Sequence, residues 1–153
     1  MKTAAEIMDS SVPSISPDAD ARSAIELLAQ TDKGAIPVLD EDRKVIGIVS
    51  ESDLVLSEEE SDLHLPHYLN IMGGIVFVGS MKGFEKRLDK AFATKVSELM
   101  TADPVTVQEY SSAETVARRI ADKHHNHLPV VDEEGRLAGM VTRADALAAL
   151  VEG

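Results

Sequence analysis

The chain repeats itself. Residue n falls on residue n + 92 over two stretches without a gap, so Glu6-Ile7-Met8 lies on Glu98-Leu99-Met100 and Ile36-Pro37-Val38 on Leu128-Pro129-Val130. Asp40-Glu41 then falls on Asp132-Glu133, Gly47-Ile48-Val49-Ser50 on Gly139-Met140-Val141-Thr142, and Asp53 on Asp145. Identities are few but the apolar pattern agrees throughout, which marks an internal duplication. A copy of about 50 residues buries little surface alone, so the two are expected to pack face to face as one unit. The expected organisation is a first repeat over 1–56, an insertion over 57–94 and a second repeat over 95–153.

Each copy reads as strand, helix, strand, strand, helix. Ala21, Ala24, Ile25, Leu28 and Ala29 recur at i, i+3, i+4, i+7 and i+8, and Ala113, Val116, Ala117, Ile120 and Ala121 keep the same spacing. That spacing predicts an amphipathic helix in each copy, with Asp20 and Ser112 as N-caps. Short β runs follow at Ala35–Leu39 and His127–Val131, then polar turns, then Val45–Val49 and Leu137–Val141. Each pair predicts an antiparallel hairpin, with a closing helix starting near Ser50 or Thr142. The insertion carries all three Phe and one of the two Tyr, and Phe84, Leu88, Ala91 and Phe92 suit one helix face. It is expected to be a packed element that covers the module's own edge or contacts a partner or a second copy.

Charge and composition exclude several roles. Among 153 residues, 27 acids against 15 Lys and Arg give a net charge of -12, which repels phosphate backbones, and no basic stripe is visible. Nucleic-acid binding is therefore not expected. Without cysteine there is no disulfide framework, redox pair or cysteine zinc site. Met1-Lys2-Thr3-Ala4-Ala5-Glu6 has no signal-like apolar run, and the apolar stretch Tyr68 to Gly79 is shorter than the ~20 residues of a membrane span. The expectation is a cytoplasmic protein with no membrane partner.

The main candidate site is Ser50-Glu51-Ser52-Asp53 and its copy Thr142-Arg143-Ala144-Asp145. Each follows a strand ending Gly-apolar-Val and opens a helix. Backbone N–H groups at a helix start favour anions, a hydroxyl can donate to phosphate, and an Asp one turn later can accept from ribose hydroxyls. The same spacing is also a capping box that satisfies the helix's own donors. Both readings stay open on the residues alone. His124-His125-Asn126-His127 is a weaker candidate for metal, since a third or fourth ligand from Asp122, His64 or His67 would have to come from tertiary placement; no metal site is assigned. No nucleophile elbow, P-loop or HExxH motif occurs, so no catalytic residues are assigned and the chain is not expected to be an enzyme.

The Glu-apolar-Met lead-in, the apolar-Pro-Val strand and the Gly-x-x-Ser/Thr-x-x-Asp end, occurring in that order twice, make the chain resemble a tandem cystathionine-β-synthase (CBS) domain pair, or Bateman module, of the freestanding bacterial or archaeal type. The resemblance covers roughly residues 4 to 55 and 96 to 150. It implies an α+β fold of two β-α-β-β-α repeats related by a pseudo-twofold, with a cleft for AMP, ADP, ATP or S-adenosylmethionine and no cofactor required. It also implies association into a four-repeat homodimer. The hydroxyl residue is then expected at phosphate and the Asp at ribose: Ser50 and Asp53 in one site, Thr142 and Asp145 in the other. Backbone near the first strand and before the apolar-Pro-Val is expected at adenine, namely Ser14, Ile15, Ala35, Ile36 and Pro37, and Thr106, Val107, His127, Leu128 and Pro129.

The two sites are not equivalent. Arg143 beside Thr142 offers a phosphate a charge-assisted contact, whereas Glu51 beside Ser50 repels it, so copy two is expected to hold the phosphorylated ligand better. The expected function is a regulatory sensor of an adenosine ligand that acts on a separate, unidentified protein. The alternative is a protein-interaction module whose Ser/Thr-x-x-Asp motifs are helix caps only.

Overall fold

A computed structural model describes residues 2–54, 89–123 and 126–152. The first repeat contains α1 (Ala4–Ile7), α2 (Ala21–Gln30), β1 (Ala35–Leu39) and β2 (Val45–Ser50), ending in a 3-10 turn at Glu51–Leu54. The second contains α3 (Val96–Leu99), β3 (Thr101–Ala102), β4 (Val107–Gln108), α4 (Ala113–Lys123), β5 (His127–Val131), β6 (Leu137–Thr142) and α5 (Arg143–Glu152). The result is the expected α+β architecture. Asp20 caps α2 by accepting the Ser23 N–H at 2.9 Å, and the Ser112 hydroxyl accepts from the Thr115 N–H at 3.1 Å.

β1 pairs antiparallel with β2 from Ala35↔Ser50, and β5 with β6 from His127↔Thr142, with matching irregularities at Val38/Leu39 and Val130/Val131. The leading strands are shorter than expected. Copy two has β4 parallel to β5, while in copy one only Ile15 bridges to Val38 in the same parallel sense. The helix faces are also narrower. Ala21, Ala24 and Leu28, and Ala113, Val116 and Ile120, are buried, but Ala29 and Ala121 are exposed. At i+8 a 3.6-residue period has rotated about 80° from position i, which carries those two off the core side. The closing helix of copy one continues only to Leu54 within the described residues, and the apolar segment Ile71 to Val78 and Phe84 lie outside them.

The two repeats interlock by exchanging their lead-ins. α1 packs against β6, α4 and α5 of the second repeat, with Ala4 in that repeat's core beside Ile7 and Met8. Reciprocally, Val96, Leu99 and Met100 pack in the first repeat's core. β3 then pairs with β2 through Thr101↔Ile48, and Asp9 bridges Met140 of β6, exchanging N–H···O bonds of 2.9 and 3.0 Å. Gly47 and Gly139 make this possible. A Cβ at Gly139 would lie 2.7 Å from the Met8 sulfur and 2.8 Å from the Asp9 carbonyl oxygen, and one at Gly47 would overlap the Met100 sulfur. The hairpin turns also meet: Val45 N–H donates to Gly135 O and Leu137 N–H to Arg43 O, both at 3.1 Å, around the bridge Lys44↔Arg136. These pairs swap under the same n + 92 shift, which is the signature of a pseudo-twofold through the hairpin tips.

Candidate functional site

Both Ser/Thr-x-x-Asp motifs sit where the second strand of a hairpin ends and the chain turns into a helix. In copy two the Thr142 N–H donates to Asp145 Oδ2 at 3.0 Å, and the Asp145 N–H donates to Thr142 Oγ1 at 3.2 Å. In copy one the Ser50 N–H donates to Asp53 Oδ2 at 2.8 Å, and the Ser50 hydroxyl donates to the same oxygen at 3.1 Å while lying 2.9 Å from the Ser52 hydroxyl. The capping geometry is therefore present in both repeats. It occupies one carboxylate oxygen only: among the described residues Oδ1 of Asp53 and of Asp145 accepts no hydrogen bond. A carboxylate with a capping oxygen and an open one can serve the helix and a ligand hydroxyl together.

The sheet register brings most of the expected residues to one end of each sheet. His127 stands opposite Thr142 and Ala35 opposite Ser50. Val107 lies beside Val130, and Ile15 beside Val38, so Thr106 and Ser14 fall next to the apolar-Pro-Val strands. Ile36, Pro37 and Leu128 have under 2% of their surface exposed, and Ala35, Val107 and Pro129 are buried with them, so these residues offer a ligand backbone rather than side chains. Ser14, Thr106, His127, Ser50, Asp53, Thr142 and Asp145 are partly accessible, and Arg143 is exposed. The Arg143 N–H donates to Asn126 O at 2.8 Å and the Glu51 N–H to Gly34 O at 3.1 Å, so these two opposite charges occupy equivalent places. The Glu51 carboxyl lies over Gly34, a left-handed residue at φ 76° whose Cβ would be 3.8 Å from it.

Two cations near these sites escape a motif search. Lys33, just before Gly34, is largely covered, with Nζ 3.7 Å from Asp9 Oδ2 and 3.9 Å from Asp32 Oδ1. Its partner Asp9 reaches it only because the first lead-in lies on the second repeat's sheet. Arg119 of α4 donates from Nη1 to Thr106 O at 2.7 Å. It lines a cavity of about 540 Å³ with Pro104, Val105, Thr106 and Asp122, a size suited to a small molecule. The one available signal was the break in the duplication, since Leu27 stands at the equivalent position and packs against the first core. A second cleft, lined by Gln108, Glu109, Tyr110, Asp132, Glu133 and Glu134, is acidic and repels anions. Among the described residues no group of His, Asp and Glu is arranged to hold a metal, while His64, His67, His124 and His125 lie outside them. No helix of the described residues is long and apolar enough to cross a membrane.

A family model of the CBS domain matches residues 4–59 and 96–152. The chain belongs to this family and carries two CBS domains. It is 32% identical over 139 residues to the uncharacterised protein MJ1426 of Methanocaldococcus jannaschii, covering 88% of this chain and 83% of that one. The crystal structure of the CBS-pair protein CBSX2 from Arabidopsis thaliana superposes with a TM-score of 0.71 at 26% identity, over 98% of this chain and 94% of that chain. CBSX2 in complex with AMP gives 0.69 at 24%, over 99% and 98%. The cytosolic domain of the Mg2+ channel MgtE in complex with ATP gives 0.64 at 25%, over 92% of this chain and 46% of that chain.

Proposed function

We propose that this chain is a non-catalytic, cytoplasmic regulatory sensor that binds an adenosine ligand (AMP, ADP, ATP or S-adenosylmethionine) and passes its occupancy to a separate protein. The observation that carries the reading is the duplicated carboxylate at the two strand ends, each with one oxygen capping the turn and the other open to a ribose hydroxyl. The AMP complex of CBSX2 and the ATP complex of the MgtE cytosolic domain, both on this fold, support the ligand class. Thr142 and Asp145 would take phosphate and ribose in copy two, and Ser50 and Asp53 in copy one. Copy two is the stronger site for phosphate, because Arg143 attracts an anion where Glu51 repels it.

Coupling follows from the exchanged lead-ins. Thr142 is two residues from Met140, whose backbone is bonded to Asp9 of the other repeat. A ligand seated at Thr142 therefore bears on a strand edge held by the opposite repeat. The shift it produces is bounded by its differential affinity for the two arrangements. We also propose a homodimer, supported by the outward face of α5, where Ala144, Leu147, Ala148 and Val151 are exposed at helical spacing. The second reading is an interaction module without a ligand. The complete capping pair in Thr142–Asp145 and the apolar outer face of α5 favour it.

Titration calorimetry of nucleotide-stripped protein with AMP, ATP and S-adenosylmethionine tests the sensor reading. Saturable binding of one of them is expected. Flat traces from folded protein would transfer the function to the outer face of α5.

A further inference from the structure

We propose that Arg119 is a specificity-determining residue of the copy-two cleft, holding the Thr106 carbonyl as an acceptor that favours a purine with an exocyclic amino group over a 6-oxo purine. The inference rests on the adenosine-ligand reading above and names the residue that would select the base. The cavity's lining carries it. Pro104 and Val105 supply apolar surface for a planar ring, and Thr106 and Asp122 supply acceptors. Thr106 immediately precedes β4, and the one hydrogen bond its carbonyl accepts among the described residues comes from Arg119, at 2.7 Å. A carbonyl oxygen has two lone pairs, so the second remains for a ligand donor while the first fixes the peptide plane.

Among the described residues Arg119 is not otherwise engaged. Its neighbour Arg118 pairs with Glu114 at 2.8 Å, but among the described residues Arg119 makes no ion pair, in a chain with 27 acidic residues. A long side chain held against one carbonyl at a cavity rim restricts the shape and polarity of that rim. An amino group can donate to the carbonyl's second lone pair, whereas an oxo group placed there sets two acceptors against each other and gains no bond from that carbonyl. Copy one has no equivalent device, because Leu27 and Gln30 stand where copy two has Arg119 and Asp122. The duplication therefore yields two clefts with different base preferences.

The test is calorimetric titration of the full chain with AMP and with IMP, in wild type, Arg119→Leu and Arg119→Lys. Wild type is expected to prefer AMP by about tenfold or more. Arg119→Leu should weaken AMP by about tenfold while leaving IMP within about twofold, and Arg119→Lys, which still donates, should keep most of the preference. If the Leu variant does not fold, Arg119→Gln, which falls short of the carbonyl, takes its place. An AMP-to-IMP ratio unchanged in Arg119→Leu, or equal losses for both nucleotides, would overturn the assignment and leave the sensor reading intact. A wild type that binds AMP and IMP equally would do the same. Wild type binding neither nucleotide nor ATP nor S-adenosylmethionine would remove the sensor reading itself, and this inference with it.

Discussion

Asp53 and Asp145 each combine a structural bond with an open oxygen, and this decides how their mutants should be read. Asp145→Ala removes the cap on Thr142 and should cost about 1 kcal/mol of unfolding free energy. Denaturant titration checks it; a loss several times larger would mean the carboxylate does more than cap. Exchanging the charges with Glu51→Arg and Arg143→Glu should move the preferred phosphate site from copy two to copy one, with site affinities changing about tenfold each way. Unchanged site affinities in calorimetry would remove the charge argument. A third carboxylate reports on pH. The Ser23 backbone N–H donated to Asp20 holds its carboxyl below the usual Asp value of 3.8. Folding thus favours the ionised form, and this stabilisation is complete above the usual value and lost as pH falls through the lowered folded-state one. Asp20→Asn should therefore flatten the loss of stability below about pH 4. A slope equal to wild type would place that acid sensitivity elsewhere.

The elements were legible where local pattern determines them. Hairpin pairing, helix caps at Asp20 and Ser112, and the inward faces through Leu28 and Ile120 all follow from spacing and turn chemistry. The lead-ins were not. Glu6-Ile7-Met8 and Glu98-Leu99-Met100 stood out as repeated motifs, but no local rule says that each serves the other repeat's core. That choice is made by long-range packing of methionine onto glycine. It gives an asymmetric expectation. Gly139→Ala drives a Cβ to 2.8 Å from the Asp9 carbonyl oxygen, a backbone atom fixed by its bonds to Met140, and should cost about 2 kcal/mol. Gly47→Ala chiefly meets the flexible Met100 side chain and stays 3.2 Å from the Thr101 oxygen, so it should cost less. Thermal unfolding of the two variants checks the order, and a larger loss at Gly47 would contradict it. In the candidate site the duplicated hydroxyl–Asp pair was legible, whereas Arg119 and Lys33 were not, because their partners Thr106 and Asp9 are set by tertiary placement.

At the scale of the molecule, reciprocal lead-ins and joined hairpin tips make two repeats one folding unit. Among the described residues two buried clusters stand out, and each contains residues from both repeats. Leu128→Ala, a nearly fully buried truncation in copy two, should cost about 2–5 kcal/mol and lower a single cooperative transition, rather than separate one repeat from the other. Biphasic unfolding followed by hydrogen exchange at Val38 and Val130 would show that the repeats fold independently. The same interlocking lets occupancy of one site reach the opposite repeat, which a regulatory role requires. The proposed function stands or falls on the open carboxylate oxygens, so the decisive measurement is AMP or ATP titration of wild type beside Asp53→Ala and Asp145→Ala. Saturable binding is expected in wild type, abolished at the stronger site by Asp145→Ala and much less affected by Asp53→Ala, with both variants folded. Binding that survives both substitutions undiminished would show that these residues are helix caps and that the ligand sits elsewhere.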